Sequence, residues 1–264
     1  MTGVDLALSA RGLRMEYRDR SSDARLVAIE TMDLDVADGE FVGLLGPTGC
    51  GKSTFLKIVN GLLKATTGEI HLRRNEKGRE DAMVFQDAAL FPWYSVLDNV
   101  AYGLVCAGVS NAEARKRAAS LIGLVGLQGF EGKYPYQLSG GMQQRANLAR
   151  ALAVDAPILL MDEPFASLDA QTREVMQAEL LRIWSAAQKT VVFVTHQIEE
   201  AVYLSDRVVV MSARPGRILA DIPIDLPRPR ALEVKRSAAF TTYADRIWKL
   251  LASQRASAVS DQEG

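Results

Sequence analysis

From Leu6 to Val36 apolar and polar residues alternate with a period of two, the pattern of half-buried strands. It predicts several antiparallel strands, with Ser21–Ala24 as a turn. Short, mostly apolar stretches at Phe41–Leu45, Ile158–Met161, Val191–Thr195 and Arg207–Met211 have the pattern and length of buried strands. Gly68–Leu72 and Ala82–Phe85 add two more, separated by the polar stretch Arg73–Asp81. Between Val96 and Ala153 the repeat becomes helical and rich in Ala and Leu. A later helix is predicted from Val175, Met176, Glu179, Leu180, Ile183 and Trp184, whose spacing gives one face packed on a sheet. Parallel strands joined by helices imply an α/β core. The organisation expected is a domain over 1–225, with an N-terminal antiparallel β subdomain and a helical subdomain inserted at about 87–154.

Beyond that domain, Leu226-Pro227-Arg228-Pro229-Arg230 is stiff and extended, since each proline fixes φ and disfavours helix before it. Phe240, Tyr243, Ile247, Leu250 and Leu251 then predict a docked terminal helix within an extension over 226–252. The small polar residues at 253–264 predict a disordered tail.

The most specific chemistry lies at Gly46-Pro47-Thr48-Gly49-Cys50-Gly51-Lys52-Ser53-Thr54. Two glycines with four residues between them, followed by Lys and Ser, are how a backbone wraps a polyphosphate. The buried strand before it and a helix from Ser53 to about Asn60 supply the required context, because N–H groups at a helix start meet phosphate oxygens there. Lys52 would reach the β- and γ-phosphates and the Ser53 hydroxyl would ligate Mg²⁺. The chain is expected to bind a nucleoside triphosphate.

Two further segments fit that expectation. Ile158–Met161 leads into Asp162 and Glu163; beside a phosphate loop the first acid can hold Mg²⁺ and the second can polarise an attacking water. A strand that merely finishes in a charged turn is the alternative. Leu138-Ser139-Gly140-Gly141 opens a helix running to about Ala153, with Ser139 as its N-cap and an uncovered, positive end that attracts anions. A plain capped helix start has the same local pattern.

Composition narrows the partners. Hydrophobic residues make up 48% and charged residues 24%, ordinary for a soluble globular protein, and the formal net charge is −1. No long block of Lys or Arg is present, so no large nucleic-acid footprint is indicated. The two cysteines, Cys50 and Cys106, suggest a reducing compartment, because a bridge at Cys50 would obstruct the loop. Neither a secretory signal nor a run of ~18 to 20 apolar residues able to span a bilayer is seen. Any membrane role is expected to come through a partner.

The order of these signals, with Gln86 after Val84-Phe85, Ser167-Leu168-Asp169, and His196 after Val191–Thr195, resembles the ATP-binding subunits of ATP-binding-cassette (ABC) transporters over about Leu6 to Leu251. The Leu-Ser-Gly-Gly segment is the most specific element of the likeness. The resemblance implies an ABC ATPase fold with ATP and Mg²⁺ as cofactors. Tyr17 resembles the aromatic that stacks on adenine, although a core tyrosine is the alternative. By the same likeness Gln86 contacts Mg²⁺ and senses the γ-phosphate, and His196 hydrogen-bonds that phosphate. Glu163 then corresponds to the catalytic base, and Asp169 to the acid that couples two sites across a dimer. Ser139, Gly140 and Gly141 are expected to cap ATP held by a second copy, which implies a head-to-tail dimer.

The resemblance also implies a transmembrane permease contacting about Gln86–Val100, a solute-binding protein acting indirectly, and a peripheral location on the cytoplasmic face of the cell membrane. Leu90-Phe91-Pro92-Trp93 with Leu97-Asp98-Asn99-Val100 is similar to the nitrate, sulfonate and taurine importer group. Two departures are the polar Arg73–Asp81, where that group has a Gly/Pro-rich turn, and Gln143, where Arg or Lys is frequent. An exporter cassette, or one acting on nucleic acid or ribosomes, would share the ATP residues. A single cassette without a basic tail or heptad insertion argues against the latter.

Overall fold

The computed structural model describes residues 5–18, 25–74, 80–187 and 189–260. The Ser21–Ala24 turn and most of the polar stretch before the fifth strand lie outside them. In chain order the elements are β1 (Leu6–Arg18), β2 (Arg25–Ala37), β3 (Phe41–Leu45), α1 (Lys52–Val59), β4 (Thr67–Leu72), β5 (Asp81–Val84), α2 (Val96–Cys106), α3 (Asn111–Leu124), α4 (Gly140–Ala153), β6 (Ile158–Asp162), α5 (Ala170–Ala187), β7 (Thr190–Thr195), α6 (Ile198–Leu204), β8 (Arg207–Met211), β9 (Gly216–Pro223) and α7 (Ala238–Ser260). They form two compact units, Met1–Arg74 with Gln188–Gly264, and Asn75–Ala187.

In the first unit the strands run in the order β4-β1-β2-β9-β8-β3-β7. The alternating N-terminal segment makes two long strands, β1 and β2, paired antiparallel with Leu8 opposite Val36, and β4 adds antiparallel to the outer edge of β1. β3 is parallel to both β7 and β8, as expected of strands buried on both faces. Every residue of β3 and β7 is buried, and Phe41 and Phe193 meet with ring centroids 5.9 Å apart.

The second unit contains helices α2 to α5 and the parallel pair β5–β6. It is wider than the segment expected at about 87–154, because β5 precedes the helices and β6 and α5 follow them in the same packed body. Ser95 and Ser110 cap α2 and α3, accepting hydrogen bonds from the Asp98 and Glu113 amides. Along α5 the buried positions among those described are Met176, Gln177, Leu180, Leu181 and Ile183, whereas Val175 is exposed. The apolar face is therefore turned by one position from the one read in the sequence.

The C-terminal segment is part of the first unit. Phe240 and Ile247 of α7 are buried, and α7 packs on α6. Arg230 is buried too, and its guanidinium donates to the carbonyls of Val202, Tyr203, Ser205, Ile224 and Leu226. Those first three are the orphan carbonyls at the end of α6, which a cation satisfies well. Helix α7 is described as far as Ser260, past residue 253 where the disordered tail was expected to begin. Ala, Gln and Arg are good helix formers, and extending an existing helix avoids the cost of nucleation. Residues 261–264 lie outside the description.

Candidate nucleotide site

The phosphate loop grows directly from β3. The strand stops at Leu45, Gly46 starts the loop, and α1 begins at Lys52. Gly51, the residue before the helix, has φ of 98°, a conformation that costs any residue with a Cβ. A methyl group there would also lie 2.9 Å from the Ala28 carbonyl oxygen. Lys52 is 5% exposed, and its Nζ donates to the carbonyls of Gly46 at 2.8 Å and Pro47 at 3.0 Å. The ammonium thus spans the loop from its helical end to its strand end. Thr48 and Gly49 are exposed at the tip, and Ser53 and Thr54 are half-buried in the first turn of α1.

Cys50 is fully buried in this loop, and burial pushes its thiol above the ordinary range despite the nearby Lys52 ammonium. It is therefore a packing residue, not a thiolate. Cys106 is exposed and free.

Tyr17, near the end of β1, is 37% exposed, and its hydroxyl lies 3.3 Å from Thr54 Oγ1. It is not a core tyrosine; the ring stands beside the start of α1. His196 belongs to the same unit. Leu45 and Thr195 are register partners in β3 and β7, so Gly46 and His196 leave the sheet at one level and on one edge. His196 is exposed at a bend fixed from behind: Thr195 Oγ1 donates to Glu200 Oε2 at 2.6 Å and accepts from the Gln197 amide at 3.0 Å.

In the second unit a parallel register does the same for two other residues. Val84 of β5 is opposite Met161 of β6, so Gln86 and Glu163, each two residues further on, leave their strands together. Asp162 is buried, Glu163 is half-buried and Gln86 is exposed. Glu163 has φ of 45°, an uncommon conformation for a residue with a Cβ, and such strain clusters where a side chain must be aimed.

Ser139 caps α4 as expected, its hydroxyl accepting from the Met142 amide at 3.3 Å. Ser139 and Gly140 are exposed, and a methyl group at Gly140 would meet nothing within 4 Å. The start of α4 is therefore open to an anion. Asp169 is exposed and accepts from the Thr172 amide at 2.9 Å; the Thr172 hydroxyl and amide hold its carboxyl below the usual range. Gln143 ties back to the Pro135 carbonyl at 3.0 Å, which gives this departure from the family pattern a local structural use.

Sequence reasoning did not single out the residues that hold the Gln86 segment. Gln144, Asn147 and Arg150 recur every third residue on α4. Gln144 and Asn147 both donate to the Phe85 carbonyl, at 3.2 and 3.3 Å, and Arg150 donates to Ala88 at 3.1 Å and Ala89 at 2.9 Å. Arg150 also lies 5.8 Å from the centre of the Phe91 ring. The available signal was a row of polar residues on an otherwise apolar helix face. Around Phe91, the rings of Trp93, Tyr94 and Tyr102 form a contiguous cluster in which Trp93 is 67% exposed.

Residues 29–166 match the family model described as ABC transporter. An ABC transporter ATP-binding protein of Methanocaldococcus jannaschii, itself uncharacterised, is 50% identical over 86% of this chain and 85% of its own length. The taurine import ATP-binding protein of Roseobacter denitrificans is 42% identical over 95% of this chain and 94% of its own length. Among solved structures, an ATP-binding cassette in a dimeric post-hydrolysis state with bound ADP and Pi superposes with a TM-score of 0.74 at 31% identity, covering 83% of this chain and all of that one. The chain belongs to the ABC transporter family. It is an ATP-hydrolysing, ATP-binding subunit of that class, and no helix among its described residues is long and apolar enough to cross a membrane.

Proposed function

We propose that this chain is the energy-coupling ATPase of an importer for a small solute of the nitrate, sulfonate or taurine type. The observation that carries the nucleotide chemistry is Lys52, buried at a strand–loop–helix junction and held on its own loop. The solute class is supported by the taurine import proteins, which resemble the chain over nearly its whole length. Nothing in the sequence favours an exporter or a nucleic-acid-associated cassette over this reading.

In this reading the amides of Gly46–Thr54 and the Lys52 ammonium bind the polyphosphate, and Tyr17 stacks on the base. Ser53, Asp162 and Gln86 offer a hydroxyl, a carboxylate and an amide oxygen, the hard donors that suit Mg²⁺. Held by these residues, Mg²⁺ would supply positive charge to offset that of the polyphosphate. Glu163 takes a proton from the attacking water, and His196 holds the γ-phosphate side. The working unit is a head-to-tail dimer in which Ser139, Gly140 and Gly141 cap the nucleotide of the second copy and Asp169 links the two sites. Dimeric forms of a related cassette support this arrangement. The stretch Gln86–Val100, with exposed Trp93, docks a permease at the cytoplasmic face of the membrane, and a solute-binding protein delivers cargo to that permease.

Glu163→Gln tests the chemistry. An amide keeps the shape and cannot accept the proton, so hydrolysis should fall about 10²–10⁴-fold. MgATP should remain bound, and an ATP-filled dimer should accumulate on size exclusion. Near-normal turnover would remove Glu163 from the base role.

A further inference from the structure

The outer side of the phosphate loop rests on a part of the fold the preceding reading does not use. The turn joining β8 to β9, residues 212–216, packs against the loop within the first unit. A methyl group at Gly216 would lie 2.0 Å from the Cys50 carbonyl oxygen and 3.1 Å from that of Ala28. The turn therefore approaches the loop backbone as closely as a glycine permits. Ser212 gives it a fixed shape: its hydroxyl donates toward the Ala213 and Pro215 carbonyls, each at 2.8 Å, and accepts from the Arg217 amide at 3.0 Å.

Arg214 stands on this turn. Its Nε donates to the Gly49 carbonyl at 3.2 Å, and its Nη2 lies 3.1 Å from where a Gly49 side chain would begin. No carboxylate pairs with it among the described residues, although the side chain is exposed. A surface arginine without an acid gives up little by donating to a lone carbonyl. What it gains is a hold on a peptide unit in the phosphate loop.

We propose that Arg214 is a positioning residue for nucleotide capture. It fastens the carbonyl side of the loop at Gly49, so that the loop amides stay turned toward the incoming polyphosphate. Its charge also adds to that of Lys52 at the same loop. Gly49 has φ of 80°, so nothing in its own side chain holds this peptide, and an external tether is needed where the loop is most exposed. The ligand is the polyphosphate of a nucleoside triphosphate, and the inference rests on the nucleotide reading above.

The test measures MgATP affinity by calorimetry, and thermal unfolding without nucleotide, for the full chain and for Arg214→Ala, Arg214→Gln and Arg214→Lys. A charge-assisted hydrogen bond at an exposed position is worth about 1 kcal/mol, or about fivefold in Kd. Arg214→Ala is expected to weaken MgATP about fivefold, with the nucleotide-free unfolding temperature lowered by no more than about 2–4 °C, which one lost hydrogen bond accounts for. Arg214→Lys should recover at least half of the loss, and Arg214→Gln should recover less. Unchanged affinity in Arg214→Ala would overturn the proposal, and so would a loss of affinity that Arg214→Lys does not lessen. Failure of the unaltered chain to bind MgATP would instead overturn the nucleotide reading on which it rests.

Discussion

Replacing Arg230 by Met tests how the C-terminal segment is fastened to the rest of its unit. The side chain is 7% exposed and occupies the end of α6, where its guanidinium serves five carbonyls. Burial drives its pKa down to about 10, so the charge is held at a cost that the carbonyl bonds must offset. Because the folded pKa is depressed, that cost applies in full below about pH 10 and fades as the pH rises above it. Methionine fills much of the space but supplies no donor. The five carbonyls left without a partner cost about 1 kcal/mol each after partial rehydration, relief of the buried charge returns about 2 kcal/mol, and a net loss of about 3 kcal/mol is expected. For a chain of 264 residues, at about 2–4 °C per kcal/mol, the unfolding temperature should fall by about 6–12 °C. Differential scanning calorimetry at pH 7.5 with a fixed scan rate would measure it. A fall of less than 2 °C would show that the carbonyls find water or that desolvation had already cancelled the bonds, and the argument would fail.

Lys52→Ala should abolish most MgATP binding in calorimetry, because the loop then loses the cation inside it and keeps amide dipoles and the peripheral charge of Arg214; unchanged affinity would mean that this loop is not the site. If the open end of α4 serves a second copy, cysteines placed at Ser139 and Thr48 should crosslink different chains when ATP is bound and Glu163→Gln blocks hydrolysis. Intrachain products alone, with the dimer shown to be present, would exclude that assignment. Gly216→Ala should weaken MgATP more than tenfold, since its Cβ would lie 2.0 Å from the Cys50 carbonyl oxygen and displace the loop; wild-type affinity would show that the turn can yield.

Strands buried on both faces were legible because their apolar runs are short and flanked by punctuation, as at Phe41–Leu45 before Gly46. The strand–loop–helix form of the phosphate loop was legible for the same reason. β9 was not, because its mixture of buried and exposed positions follows neither period and ends at a proline. Short α6 also carries no signal of its own. Arg230 could not have been placed: an arginine between prolines reads as surface, and only the tertiary fold brings the carbonyls of α6 to it. The turn of the buried face along α5 has a similar origin, since Val175 fits the helical repeat and only packing decides which edge of the stripe is covered. At the candidate site, sequence named the residues that could touch nucleotide and missed those that hold them, Gln144, Asn147, Arg150 and Arg214. Their bonds end on backbone, and backbone leaves no trace in residue identity.

That last property has an evolutionary consequence for the segment after β5. The hydrogen bonds by which α4 grips Phe85, Ala88 and Ala89 fall on their carbonyls, which every amino acid carries. The path of this segment is thus inherited with the helix, while the side chains along it are left open to change. If this stretch is the docking face proposed above, lineages can recast the exposed ring of Trp93 and its neighbours to suit a new companion without rerouting the chain that bears Gln86. A cassette built this way can be handed from one transport system to another by rewriting a few surface letters, with its chemistry left alone.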